Sequence, residues 1–158
     1  MHTPRRRSLL VTSVVLPILV SVALAVPSAY AGTGAPRPNP DALAQRMLNL
    51  VNRSRQLRGL SELRIHDRLS REAVRHSERM AWSGTISHTA NLADLVHDVG
   101  GSVFGEDVGS GRGLRGIRDA WLRQADTHRI LLDPRFHHVG LGVVHVDGFY
   151  WVTLQAFD

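Results

Sequence analysis

The sequence predicts an α+β fold, a three-layer α-β-α sandwich with a central antiparallel sheet. Apolar residues recur at helical spacing in several segments of residues 41–124. The end of the chain instead holds two β-rich runs, "VGLGVVHV" and "FYWVTLQAF", joined by Asp147-Gly148, a strong hairpin signal. Both runs are apolar on both faces, so the hairpin requires helices on both sides.

Helices are predicted from apolar stripes, and their limits from capping residues and helix-stopping glycines. In the first helix, Leu43, Met47, Leu50 and Val51 form one stripe. In the fourth, Leu114, Ile117 and Trp121 share a face. The predicted segments are Asp41 to a stop near Gly59, Asp67 as N-cap to Ser83 before Gly84, Asn91 to Gly100-Gly101, Leu114 to Gln124, and one turn capped by Thr127 and closed by Pro134.

The first 31 residues have the layout of a signal peptide. Three arginines at positions 5–7 precede an apolar run over residues 9–26, and small residues at Ala29 and Ala31 suit cleavage after Ala31. An uncleaved anchor is the alternative, because the run approaches the length of a membrane span. We therefore expect a signal peptide over residues 1–31, a Pro/Gly-rich linker over 32–40 and one domain over 41–158. The expected location is extracellular, or the cell envelope if the leader is retained.

Charge and cysteine content narrow the class of protein. The chain has 19 basic residues, all arginine, and 14 acidic ones, and without the leader 16 arginines face the same 14 carboxylates. Basic and acidic residues alternate, as in "LSREAVRHSERM", so the clustered basic face of a nucleic-acid-binding protein is missing. There is no cysteine, so an exported domain must be held by its core. We expect a monomer, without nucleic acid and without stable membrane insertion after cleavage.

Three polar residues are candidates for a shared site. His88, Glu106 and His128 each lie in a segment that we expect to enter or leave a helix, where functional groups are commonly placed. Two imidazoles and a carboxylate suit a divalent metal, most naturally zinc with water. The alternative is three separately hydrogen-bonded polar residues at loop ends, because no spacing resembles HExxH.

Four ordered motifs resemble the CAP superfamily, which comprises cysteine-rich secretory proteins, venom antigen 5 and plant pathogenesis-related proteins. They are "LNLVNRSRQLRGLSELRIHDRLSREAVRHSERMAWSGTISHT", "FGEDVG", "AWLRQADTHRILLDPRFHHVGLGVV" and "YWVTLQAF". The resemblance covers nearly all of residues 43–157 and is to the short bacterial secreted members. It implies an α-β-α sandwich, and a cleft with two histidines able to bind zinc and two glutamates.

The resemblance also assigns positions in this chain. His88 and His128 match the two cleft histidines, so they are the predicted metal ligands, and Glu106 matches one glutamate. The second glutamate has no counterpart near Trp121, where Asp119 is a doubtful substitute. Asp107 replaces the asparagine that usually follows the matched glutamate, which adds a negative charge beside Glu106.

The remaining singled-out residues have structural interpretations. Histidines expected to pack, cap or face solvent are His66, His76, His97 and His145. His137 and His138 are expected to be dispensable at a wet sheet edge. Gly140 and Gly142 indicate close approach of a helix to the sheet, or a bulge.

Three functions remain open from the sequence. The first is a secreted binding module that captures a lipid, peptide or cell-wall fragment in a metal-binding cleft. The second is a zinc-dependent hydrolase in which His88 and His128 hold the metal and Glu106 is the general base. The third is a structural role in the envelope. The missing second glutamate favours binding, because an acid/base pair tolerates its loss less well.

Overall fold

The computed structural model describes residues 39–158, which form five helices and four strands. The predicted leader and nearly all of the linker lie outside the described residues. Within residues 39–158 no helix is both long enough and apolar enough to cross a membrane. The elements are α1 (Pro40–Gln56), β1 (Arg64–Ile65), α2 (Asp67–Ser83), α3 (Leu92–His97), β2 (Phe104–Gly111), α4 (Leu114–Arg123), α5 (Ala125–Leu131), β3 (His138–Val146) and β4 (Phe149–Phe157).

The strands form one sheet in the order β1-β3-β4-β2. The predicted hairpin of β3 and β4 is confirmed, and β2 pairs antiparallel with β4. Two strands were not predicted, and one of them, β1, pairs parallel with β3. The predicted central antiparallel sheet is confirmed by the β3–β4 and β2–β4 pairings, and the short parallel edge strand β1 makes the whole sheet mixed. The "FGEDVGSG" segment of β2 has little intrinsic strand propensity, so its conformation depends on pairing with β4.

Helix α2 covers one face of the sheet at very short range. A Cβ atom added to Gly142 would lie 2.2 Å from the backbone carbonyl carbon of Ala73, and one added to Gly140 would lie 2.5 Å from Cγ of Leu69. The two glycines therefore let the helix backbone approach β3, as the sequence predicted. The alternative of a bulge is wrong, because the β3–β4 register is continuous.

Helices α1, α4 and α5 cover the opposite face. A Cβ atom added to Gly105 would meet Ile130 at 3.0 Å, and one added to Gly109 would meet the Trp121 indole nitrogen at 3.1 Å. The sheet is thus enclosed between helices on both faces, which confirms the α-β-α class. Fully buried residues of this main core include Met47, Val51, Leu131, Val139, Val143, Val152, Leu154 and Ala156.

Three helix starts differ from the prediction. Helix α1 begins at Pro40, one residue early, and its N-cap Asn39 accepts a hydrogen bond from the Asp41 amide at 3.0 Å. The N-cap of α2 is His66 rather than Asp67, because its ring nitrogen accepts from the Leu69 amide at 3.4 Å. Thr127 does not cap a turn; it lies inside α5.

The side chain of Arg55 joins α1 to the turn that leads into β3. It is fully buried, and its guanidinium donates to the carbonyl oxygens of Ser61, Leu131, Asp133 and Phe136 at 2.8–3.1 Å. Burial lowers the pKa of Arg55, and the nearby Asp133 carboxylate opposes that shift.

The expectation of a solvent-exposed sheet edge at His138 is wrong. Strand β1 pairs with β3 at this position, and Arg64 lies opposite His138.

Candidate functional site

Strand pairing places Glu106 in the interior of the domain. Glu106 lies opposite Gln155 in the β2–β4 ladder, so the two side chains share the face of the sheet that α2 covers. The Glu106 side chain is 3% exposed and Gln155 is fully buried. A buried carboxylate requires hydrogen-bond donors, and the surrounding residues supply them.

Both carboxylate oxygens of Glu106 accept hydrogen bonds. Oε1 accepts from the backbone amide of Thr89 at 2.8 Å, and Oε2 accepts from the side-chain amide of Gln155 at 2.9 Å. The same Gln155 nitrogen donates to the Thr89 hydroxyl at 2.9 Å. The segment after α2 is therefore tied to the centre of the sheet.

These hydrogen bonds determine the charge of Glu106. Burial by itself raises the pKa of the carboxyl group, but hydrogen bonds from Thr89, Gln155 and His88 outweigh it and lower the pKa overall. Glu106 is therefore ionised at neutral pH, in the interior of the protein.

His88 is the exposed partner of this carboxylate. Its Nδ1 lies 2.8 Å from Glu106 Oε1, yet its side chain is 69% exposed. Because an ionised carboxylate only accepts, Nδ1 carries the proton, and in the neutral ring Nε2 keeps its lone pair. Within residues 39–158 this Nε2 makes no hydrogen bond. An exposed imidazole is thus held in one tautomer by a buried anion.

A second histidine fixes the residue before His88. His76 is buried in α2, and its Nδ1 lies 3.2 Å from a guanidinium nitrogen of Arg79. Because guanidinium only donates, Nδ1 is the acceptor, so Nε2 carries the proton and donates to the Ser87 carbonyl at 2.7 Å. His76 is therefore a buried, hydrogen-bonded residue that positions the His88 segment.

The structure brings together two of the three predicted site residues. His128 lies half-buried in the last turn of α5, and in residues 39–158 no side-chain hydrogen bond joins it to His88 or Glu106. Asp119, the doubtful substitute for the second glutamate, pairs instead with Arg118 at 2.6 Å. The assignment of His128 to the same site rests on the resemblance and stays a prediction.

The His88–Glu106 pair offers few free coordinating atoms to a metal ion. In the part of the chain that the structure describes, no group of three histidine, aspartate or glutamate side chains is placed to hold a metal ion. Both Glu106 oxygens already accept hydrogen bonds. Of this pair, Nε2 of His88 is the atom whose lone pair is free to coordinate a metal ion.

Asp107, the neighbour of Glu106, points to the opposite face. It is fully buried, and neither of its carboxylate oxygens has a hydrogen-bond partner within the described residues. Burial, with a smaller contribution from the charge of Glu106, raises the pKa of Asp107 to about 8. Asp107 is therefore a neutral acid at pH 7, and it adds no negative charge beside Glu106 there, contrary to the expectation from sequence.

Sequence reasoning missed Thr89, Gln155 and His76 as parts of this site. Gln155 could have been noticed, because a polar side chain inside the largely apolar strand "FYWVTLQAF" must find a hydrogen-bond partner. The bond of His76 to Ser87 had no such signal, because it depends on how the loop folds back on α2.

Comparison with known proteins adds to this geometry. The profile of the family described as the cysteine-rich secretory protein family (CAP) matches residues 48–156. The uncharacterized protein YkwD of Bacillus subtilis is 28% identical over 126 residues, 75% of this chain. The match covers 48% of YkwD, so the chain spans about half the length of that curated relative.

Two solved structures are similar in fold. An outer surface protein from Borrelia burgdorferi has a TM-score of 0.64 at 18% identity, covering 72% of this chain and 90% of that one. An extracellular protein containing an SCP domain from Bacillus anthracis has a TM-score of 0.60 at 25% identity, covering 75% of this chain and 41% of that one.

Proposed function

Since the chain belongs to the cysteine-rich secretory protein (CAP) family, we propose that it is a secreted binding module that captures a small extracellular ligand through the His88 imidazole. The observation that carries the proposal is the pairing of an exposed imidazole with a buried, ionised carboxylate, Glu106. The signal-peptide layout of residues 1–31 supports secretion. Similarity to an extracellular SCP-domain protein of Bacillus anthracis also supports secretion.

The geometry favours recognition because the imidazole is oriented before a ligand arrives. Glu106 holds Nδ1 of His88, so the ring loses little conformational freedom when Nε2 accepts a hydrogen bond from a ligand. When the ring is protonated, Nε2 donates to an acceptor instead, and Glu106 balances the added charge. Lipid headgroups, peptides and cell-wall fragments all offer such hydrogen-bonding groups.

The hydrolase alternative receives less support. A hydrolase of this kind needs Glu106 as the general base, with a free lone pair within hydrogen-bonding distance of the water molecule that attacks the substrate. Glu106 is instead 3% exposed, and both of its oxygens accept hydrogen bonds from the protein. We therefore assign Glu106 the role of orienting His88.

Ligand-observed NMR on the purified chain tests the binding proposal. Three probe sets would be screened: muropeptides from digested peptidoglycan, short peptides and short-chain phospholipids. We expect one set to bind wild type and to lose roughly tenfold or more in affinity in His88→Ala, because a hydrogen bond to the ligand is lost. His137→Ala, which removes an exposed histidine elsewhere, is the matched control. If no probe binds, or binding is equal in wild type and His88→Ala, the proposal is wrong.

Zinc is a separate part of the proposal. We propose that a zinc ion uses Nε2 of His88 and the ring of His128, with the remaining positions filled by water or ligand. Calorimetric titration with zinc should then show weaker binding in both His88→Ala and His128→Ala, and no change in His137→Ala. Equal zinc affinity in wild type and both variants would show that these histidines do not bind zinc, while the ligand screen would still test His88.

A further inference from the structure

Trp82 is the most exposed large apolar side chain of the described residues. It is 92% exposed and lies one residue before the end of α2, whereas Trp121 is 3% exposed in the core. The inward face of α2 is formed by other residues, among them Ala73, Ser77 and Met80. Trp82 is therefore not a core residue displaced outward; the helix presents it to solvent.

A surface groove connects Trp82 to the other end of α2. Trp82, Arg75, Glu78 and Arg79 line a shallow cleft of about 340 Å³. Arg75 and Glu78 also line a groove of about 780 Å³ between α1 and α2. We call the two together the α2 groove. From Asp67 to Trp82 it follows about 22 Å of helix, at roughly 1.5 Å per residue.

The α2 groove has an apolar floor and charged walls. Ala44, Ile65, Val74 and Leu141 contribute to the floor. The Leu141 amide, on the edge of β3, donates a hydrogen bond to the Ser70 hydroxyl at 3.0 Å. This amide is therefore unavailable to a strand added at the sheet edge, and the groove offers a ligand mainly side chains.

Three exposed arginines run along α2 at four-residue spacing. Arg71, Arg75 and Arg79 are about 6 Å apart along the helix axis. Glu72 pairs with Arg75, and His76 contacts Arg79, so two of the three guanidinium groups are held in place with N–H donors to spare. The arginines thus form an ordered ladder of donors that leads towards Trp82.

We propose that the α2 groove is a docking site for an extended peptide segment of a partner protein, with Trp82 as its anchor. In an extended peptide, side chains on one side recur about every 6.6 Å, which matches the spacing of the arginine ladder. The segment would carry acidic residues two positions apart, opposite the arginines. One or two residues beyond the position opposite Arg79 it would carry an apolar residue against Trp82, because these two residues are about 4.5 Å apart along the helix axis. Trp and Arg are also the residue types that dominate binding energy at protein interfaces.

The charges of the groove favour a peptide over a uniformly anionic partner. Glu78 lies between Arg75 and Arg79 on α2, and Asp41 and Asp67 line the far end of the groove. A phosphate-rich membrane surface or an anionic polysaccharide would meet repulsion from these carboxylates. A peptide can place a basic or neutral residue opposite each of them.

Panning a phage-displayed library of random peptides on the full chain tests the proposal; peptides of about twelve residues are longer than the roughly seven extended residues that span the groove. We expect enriched peptides to share acidic residues two positions apart and an apolar residue. Synthetic versions should shift the emission of Trp82 to shorter wavelength. Their affinity should fall about tenfold or more in Trp82→Ala, and severalfold in Arg75→Ala.

Leu57→Ala is the matched control, because Leu57 is 69% exposed and lies outside the groove. It should bind the peptides like wild type. Absence of enriched peptides, or equal binding by wild type and Trp82→Ala, would overturn the proposal. So would Trp82-dependent sedimentation with phosphatidylglycerol vesicles in the absence of peptide binding, which would indicate a membrane surface as the partner. Binding at His88 is measured separately, so either proposal can fail alone.

Discussion

Nδ1 of His88 lies 2.8 Å from Oε1 of Glu106, and the two side chains differ sharply in environment. The imidazole is 69% exposed and the carboxylate is 3% exposed. The orientation of a surface group is therefore set by an anion in the interior, which is in turn held by Thr89 and Gln155. Changes in this network should alter both stability and the state of His88.

Glu106→Gln should destabilise the protein at neutral pH. The loss should be about 2 kcal/mol, the scale of hydrogen bonds to a charged group. Because the pKa of Glu106 is lower in the folded state, its contribution is present above pH 4.5, its ordinary value, and disappears as pH falls through the folded-state pKa. Urea unfolding of both proteins between pH 7 and pH 3 measures this difference. The two stabilities should converge in acid, and a constant gap would contradict the assigned charge.

Asp107→Asn should stabilise the protein, and more so as pH rises. The unfolded chain ionises Asp107 near pH 3.8, whereas the folded state keeps it protonated up to about pH 8. Ionisation of Asp107 therefore does not reduce the free energy of unfolding below pH 3.8, and it reduces it progressively as the pH rises to about 8. At about 1.36 kcal/mol per pH unit, the asparagine variant should gain about 4 kcal/mol at pH 7.

Unfolding of the two proteins in urea at pH 4, 7 and 9 measures the effect of Asp107. The gain should be small at pH 4, large at pH 7 and no longer rising at pH 9. Asp94→Asn, which changes an exposed aspartate, is the control. A pH-independent difference for Asp107→Asn would show that its carboxyl is not neutral in the folded protein.

Gly142→Ala should destabilise the protein by pushing α2 away from the sheet. The added methyl would lie 2.2 Å from the Ala73 carbonyl carbon, a backbone atom that moves only with the helix. Overpacking of this kind costs about 1–3 kcal/mol. Gly116→Ala, at an exposed helical glycine with open space around it, should be neutral or stabilising. Equal melting temperatures for both variants would contradict the close approach of α2.

Much of the fold could be predicted because its signals are local. The hairpin follows from Asp147-Gly148, and the contact of α2 with β3 from Gly140 and Gly142. Strand β2 escaped prediction because its glycines carry little strand propensity, so only pairing with β4 makes it a strand. Local patterns did not contain this pairing.

The candidate site was only partly predictable for the same reason. His88 and Glu106 were identified from their motifs, but the role of Glu106 as an orienting anion depends on Gln155, which lies 49 residues away in sequence. Residue type and spacing indicated that His88 and Glu106 belong to a site. Only the burial of Glu106 in the structure indicates that it orients His88 and is not a general base.

The orientation of His88 by Glu106 is tested most directly by ¹⁵N NMR of the His88 imidazole at a pH where the ring is neutral. We expect the ring to be held in the tautomer with the proton on Nδ1, and Gln155→Leu or Glu106→Gln to shift the ring towards the other tautomer. The matched change His137→Ala should leave the His88 signals unchanged. A neutral His88 ring that carries its proton on Nε2 in wild type, or a tautomer ratio that Glu106→Gln does not alter, would show that Glu106 does not orient His88.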